Sequence, residues 1–174
     1  PGVRIPFQLK ESTPTVAGDI DGVSGTFDID TGSRATLDLM GPFVAKNNLI
    51  ARFQAKMQGV NGWGVGGPTR AWIVRAHRLT LGGVSVDGPV VGLSQATGGA
   101  FTDTYSAGNV GAGILKRFNI VWDYANLQMF FERNAQYSRP DVFNRAGLWA
   151  NLGGGGFEVI DLFAASPAAE AGLK

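Results

Sequence analysis

The chain has 174 residues, enough for one principal domain with a buried core and a fragment of another. Lys and Arg number 15 against 14 Asp and Glu, so there is no electrostatic case for nucleic acid or an anionic membrane surface as partner, and no apolar stretch reaches the roughly 18 residues needed to cross a bilayer. Cysteine is absent, which excludes disulfides, thiol nucleophiles and cysteine-ligated metals, while 26 glycines scattered among short apolar runs describe a turn-rich β protein.

Ile5, Phe7 and Leu9 alternate with polar residues and predict an opening strand. A run from Thr15 to Ile20 meets Asp21-Gly22, a pair that tolerates positive φ and suits a tight hairpin, and the return strand carries Thr26 through Asp30. A short apolar run spans Ala35 to Leu39, and Pro42 is placed to start a helix through Phe43, Val44, Lys46 and Leu49. A strand from Phe53 leads into "GVNGWGVGGPTR", Gly59 to Arg70, whose glycines predict a mobile hairpin tip. Trp72, Val74 and Ala76, then Val84 and Val86, then Val90 to Leu93 continue the strands across the Gly82-Gly83 and Gly88-Pro89 breaks. "GNVGAGILKRF" is too rich in glycine at its start for helix, so one helical turn is expected at Ile114 to Phe118. A last hairpin sets Ile120, Trp122 and Tyr124 against Leu127, Met129 and Phe131.

Composition turns polar at Asn134 to Pro140, which resembles a linker, so the division expected is residues 1–134, a linker at 135–146, and a further segment at 147–174. In that segment "FEVIDLF" reads as a strand and "SPAAEAGLK" as a short helix with Ser166 as N-cap, Pro167 at the first helical position and Gly172 as its end. Because the chain starts at Pro1 and stops at Lys174 within an unfinished pattern, it is expected to be a piece of something longer.

The chemistry concentrates in "FDIDTGS", where Asp30 ends an apolar strand immediately before a Thr31-Gly32-Ser33 turn. A carboxylate on a rigid strand end can act as a general base on water, with the turn's N–H groups and Ser33 Oγ available as hydrogen-bond partners. Peptide hydrolysis by this route needs a base and an acid together, and two carboxyl groups sharing one proton supply both. At about 3 Å and an effective dielectric of about 20, two such charges repel by about 5 kcal/mol, so one proton is retained. The chain holds no second Asp-Thr-Gly or Asp-Ser-Gly; the mate must come from outside.

In order along residues 4 to 133, "FDIDTGS", the glycine-rich hairpin Met57 to Arg70, "NVGAGIL" and "RFNIVWDYANLQMFF" resemble a single-lobe, retropepsin-like aspartic protease, similar to the bacterial kind in which a PDZ domain follows the lobe. The resemblance implies a mainly β fold, a closed β-barrel lobe with one or two short helices. It makes Asp30 catalytic and Thr31, Gly32, Ser33, Val110 and Gly111 the scaffold, with Thr31 locking two turns together and Val110-Gly111 packing beneath. Gly59, Gly62, Trp63, Gly64 and Gly66 become the substrate-binding flap. It further implies a peptide or protein substrate, no cofactor and no metal, and a second lobe supplied by a homodimer or by a related lobe in tandem. Single-lobe members more often carry Ala at the position of Ser33, and Arg34 beside it bears on the electrostatics of the site. Residues 147–174 resemble the beginning of a PDZ domain, a module that takes up a peptide C-terminus as an added strand, and suggest an exported, periplasmic bacterial setting.

Other features read more plainly. Asp28, on the same strand face as Asp30, is read as structural or solvent-facing, and Trp122 and Tyr124 as packing. His77 is a strand residue lacking the partners of a metal site. Trp63 is placed either to close over substrate or to pack on a neighbouring molecule. The rival of a different class is a non-catalytic peptide-binding or assembly module with the same fold.

Overall fold

Side chains of the strand that ends at Asp30 alternate between faces, burying Phe27 and Ile29 on one and Asp28 on the other, and its neighbours repeat the pattern. The computed structural model of the chain describes residues 2–64, 66–164 and 166–173; Pro1, Ala165, Lys174 and Val65, the last within the expected flap, lie outside the described residues. The elements run β1 (Val3–Pro6), β2 (Gln8–Lys10), β3 (Thr13–Ile20), β4 (Val23–Ile29), β5 (Leu37–Leu39), α1 (Gly41–Lys46), α2 (Leu49–Arg52), β6 (Met57–Gly64), β7 (Gly67–Arg75), β8 (Arg78–Leu81), β9 (Val84–Asp87) and β10 (Val90–Ser94). They continue with β11 (Gly108–Val110), α3 (Ala112–Leu115), β12 (Phe118–Asp123), β13 (Gln128–Arg133), β14 (Leu148–Gly153), β15 (Gly156–Leu162) and α4 (Pro167–Glu170). The fold is mainly β with a few short helices.

Among the described residues, ten strands form one sheet in the order β6-β7-β10-β5-β11-β4-β3-β8-β9, with β2 also on β3. At its centre β11 runs parallel to β4 and antiparallel to β5, and β5 runs parallel to β10. The register aligns Val91, Leu37, Val110 and Ile29 in one row and Leu93, Leu39, Gly108 and Phe27 in another, and the side chains of these two rows form the middle of the core. Between them, facing the other way, lies a polar row of Gly92, Asp38, Asn109, Asp28 and Thr15.

The expected closed barrel does not form. The end strands β6 and β9 make no ladder with each other among the described residues, and the opening strand is two strands rather than one. β1 pairs with β13 in a separate three-stranded sheet, β2 pairs with β3, and buried Phe7 is the pivot between them. Its N–H donates to the Leu127 carbonyl at 3.0 Å and its ring meets Trp122 and Tyr124 edge-on. Leu9, beyond the pivot, is therefore exposed rather than inward-facing.

Three local expectations also shift. Pro42 does start a helix, but Asn48 adopts a left-handed conformation (φ 50°) and splits the segment into α1 and α2, and Phe53 caps α2 instead of opening a strand. Helix α3 begins at Ala112, inside the glycine-rich stretch, and Phe118 already belongs to β12. The Asp21-Gly22 hairpin has both residues at positive φ (49° and 82°), and Ser166 caps α4 by accepting the Ala169 N–H at 3.2 Å.

The segment after β13 lies against the lobe. Buried Arg117 donates from Nε to the Gly113 carbonyl at 3.0 Å and from Nη1 to the carbonyls of Tyr137 and Arg139 at 3.3 and 2.7 Å. Asp141, also buried, accepts the Val90 N–H at 2.8 Å and stands 3.9 Å from Arg117. Arg117→Met keeps the apolar stem but strands those carbonyls and Asp141, so it should destabilise the protein by about 3 kcal/mol, read as a lower urea midpoint.

Candidate active site

Parallel pairing of β4 with β11 ends at Ile29 against Val110, and the Asp30 N–H donates to the Val110 carbonyl at 2.9 Å. The chain then turns, and the carboxylate receives two hydrogen bonds: Gly32 N–H to Oδ1 at 2.8 Å and Asn109 Nδ2 to Oδ2 at 3.0 Å. Ser33 Oγ instead accepts the Ala35 N–H at 3.3 Å, and Thr31 and Gly32 are exposed. The turn is held from below, where Gly111, Ala112 and Gly113 donate their N–H groups to the carbonyls of Thr36, Ser33 and Ala35 at 3.1, 2.8 and 3.0 Å. A Cβ on Gly111 would fall 2.4 Å from the Ala35 carbonyl oxygen, and one on Gly113 would fall 2.2 Å from Thr36 Oγ1. These glycines exist for close approach of backbones, which is why the segment is ordered helix rather than loose turn.

The hairpin β6–β7 overhangs this turn. Between Asp30 and the hairpin lies a cleft of about 780 Å³ whose lining includes Arg34, Asp38, Asn61, Trp63 and Asn109. The β6–β7 register slips between Val60 and Gly62, leaving Asn61 as the extra residue of a bulge, and a bulge re-aims its side chain. Asn61 Nδ2 accordingly donates to Asp38 Oδ1. Room for the pair comes from β10, where a Cβ on Gly92 would lie 2.3 Å from Asp38 Oδ1 and 2.5 Å from Asn61 Nδ2. Burial pushes the Asp38 carboxyl up to about 6, against the opposing pull of the Asn61 amide. A second hollow of about 580 Å³ opens on another side of Asp30, between Thr13, Pro14, Thr31, Trp122 and Tyr124.

Asp28 is structural: its Oδ1 accepts the Ser106 hydroxyl at 2.6 Å and its Oδ2 lies 3.9 Å from Lys10 Nζ. Lys10 in turn pairs with Asp103 at 2.6 Å. Desolvation opposes the charge on Asp103, but hydrogen bonds from Lys10 and from the Ser106 and Tyr105 N–H groups overcome it and hold the carboxyl well below the usual range. Of the expected residues, Asp30, Thr31, Gly32, Ser33, Val110 and Gly111 come together around the turn, and Gly62, Trp63 and Gly64 line the cleft. Gly59 sits at the hairpin's base instead, and a Cβ on Gly66 would meet nothing within 4 Å. Sequence reasoning passed over Asn109, Asp38 and Asn61; an acid within the apolar "LDL" and the lone amide among the glycines of the hairpin were the available signals. Among the described residues no three His, Cys, Asp or Glu side chains gather as a metal site.

No protein-family model and no curated protein matches the chain. Among solved structures it is similar to a retropepsin-like aspartic protease from Rickettsia conorii, at 12% identity and a TM-score of 0.49, covering 75% of this chain and 89% of that one. It is also similar to the retroviral protease-like domain of Ddi1 from Leishmania major, at 16% identity and a TM-score of 0.39, covering 72% of this chain and 95% of that one. Both likenesses are too distant to carry a function, and the case for one comes from the residues around Asp30.

A raised carboxyl makes stability pH-dependent. Below about pH 4 Asp38 is protonated in both folded and unfolded chains; between about pH 4 and 6 only the folded chain retains the proton, so stability falls as pH rises through about 6. At 1.36 kcal/mol per unit the loss is at most about 3 kcal/mol. Asp38→Asn should remove this component, so that urea denaturation at about pH 4 and pH 7.5 shows a smaller decline for the variant than for the parent.

Proposed function

We propose that the chain is the catalytic lobe of an aspartic endopeptidase, with Asp30 as one acid of a pair completed by a two-fold mate. The mate is a second copy or a related lobe in the same polypeptide. The observation that carries this reading is the setting of Asp30: a carboxylate fixed through both oxygens, at the edge of a cleft under a glycine-rich hairpin, with the Thr31-Gly32 edge of its turn uncovered. The division into a lobe at 1–134, a linker at 135–146 and the start of a PDZ-like domain at 147–174 belongs to the same proposal, as does an exported setting.

In this reading one carboxylate takes a proton from water as the water oxygen adds to the scissile carbonyl, while the protonated mate hydrogen-bonds the carbonyl oxygen. The tetrahedral product then breaks its C–N bond as the amine nitrogen receives a proton from the pair. Gly32 and Asn109 each take one acceptor site on an Asp30 oxygen, leaving about two of the carboxylate's four for water. Trp63 and its flanking glycines are the part of the hairpin suited to cover bound peptide and exclude bulk water. No cofactor is required.

Asp30→Asn should leave the fold and the solution mass unchanged and lower cleavage of an unstructured protein by about 10²-fold or more across about pH 3–8. Equal turnover by the variant removes the reading. A parent protein that dimerises yet cleaves nothing supports the assembly-module alternative instead.

A further inference from the structure

The segment beyond the lobe reaches back to the flap. Phe163 is buried between Phe143, stacked at 5.9 Å between ring centroids, and the β7 residues Ala71 and Ile73. Its ring lies directly on β6: a Cβ on Gly59 would sit 1.9 Å from two of its carbons, so no residue but glycine fits there as the ring now stands. Two residues earlier, the Asp161 carboxylate accepts the Val60 N–H on Oδ2 at 2.7 Å and pairs through Oδ1 with Arg70 Nη1 at 2.9 Å. Val60 and Arg70 are cross-strand partners, so one carboxylate ties both strands of the hairpin immediately below the Asn61 bulge. Beyond the bulge the described residues of the two strands pair with each other as far as Gly64 against Gly67, and a Cβ on Gly64, Gly66 or Gly67 would meet no atom within 4 Å.

The same segment also borders the cleft. Val142, Asn144 and Trp149 line it together with Asp30 and Trp63. Val142 and Trp63 are 74% and 51% exposed, an uneconomical state for apolar side chains facing a concave site unless an apolar group covers them. The segment does not fill the space, since about 780 Å³ remains open, so its position is that of a wall and not of a plug.

We propose that residues 141–163 are a working part of the cleft, in which Asp161 and Phe163 position the flap by its base and Trp149 is a specificity-determining wall residue for a bulky apolar side chain of a bound peptide. The wall half rests on the endopeptidase reading; the anchor half does not.

Both halves are tested in the full 174-residue chain without using turnover. By hydrogen exchange, Asp161→Ala should speed exchange of the Val60 amide by about ten-fold or more relative to amides of β4, and trypsin should cut after Arg70 correspondingly faster. Should Phe163→Ala fail to fold, Gly59→Ala displaces the same ring from the flap side and should give the same local loosening. Unchanged flap exchange in Asp161→Ala and Gly59→Ala overturns the anchor. For the wall, a hexapeptide with central Phe-Leu is titrated against Asp30→Asn with and without Trp149→Ala. An affinity loss of about ten-fold on removing the indole supports the wall, whereas equal or tighter binding, or no binding to either protein, overturns it. Cleavage that survives Asp30→Asn defeats the endopeptidase reading while leaving the flap measurement decisive for the anchor.

Discussion

Parallel pairing of β4 with β11 sets Phe27 to Ile29 against Gly108 to Val110, and this register tolerates no one-residue slip, because a slip would turn every side chain of β4 to the opposite face. Phe27 and Ile29 would leave the core and Asp28 would enter it. With the register held, Asp30 emerges beside Asn109 and above Gly111, and the site follows: an amide donor in reach of Oδ2 and a backbone cradle under the turn.

The same register produces the polar row on the other face. Burying Asp38, Asp28 and Thr15 is costly unless each finds a partner, and each does, but from a different part of the chain. Asp28 uses Ser106, Thr15 uses the Gln8 carbonyl, and Asp38 uses Asn61 of the β6–β7 hairpin. The partnerships fasten three separate stretches of chain, residues 8–10, 103–106 and the β6–β7 hairpin, onto the central strands. Asp28 also has the Lys10 charge 3.9 Å away, whereas Asp38 leans on the neutral Asn61 amide and keeps a raised carboxyl, which makes the hairpin contact the less compensated link of the two acids.

What was legible in the sequence was local. The Asp-Thr-Gly turn, the Asp21-Gly22 hairpin, the helix start at Pro42, the cap at Ser166 and the last hairpin each depend on residues within a few positions of one another, and each stands in the structure. What was not legible was pairing over distance. Asn109 meets Asp30 across 79 positions and Asp161 meets Val60 across 101, and neither side chain is unusual in its own neighbourhood. The glycines at 111 and 113 misled for a related reason: glycine signals either freedom or crowding, and only the packed backbone of residues 33–36 shows that crowding applies. The break of the opening strand at Phe7 was equally hidden, since unbroken alternation cannot report that two halves join different sheets.

Any movement of the β6–β7 hairpin is constrained by where its holds lie. Lifting the hairpin as a whole would part Val60 from Asp161 and draw Asn61 away from Asp38, leaving a buried carboxyl without its donor and a backbone N–H without its acceptor. Both losses are avoided if the chain bends above the bulge, where the glycines have no side chains to unpack and Trp63 is already half exposed. A bulge is suited to that division because its extra residue interrupts the ladder between the held base and the outer pairs, Gly62 with Thr69 to Gly64 with Gly67. In the proposed endopeptidase a closing motion confined to the tip would leave both holds in place and limit the conformational entropy lost on covering a peptide.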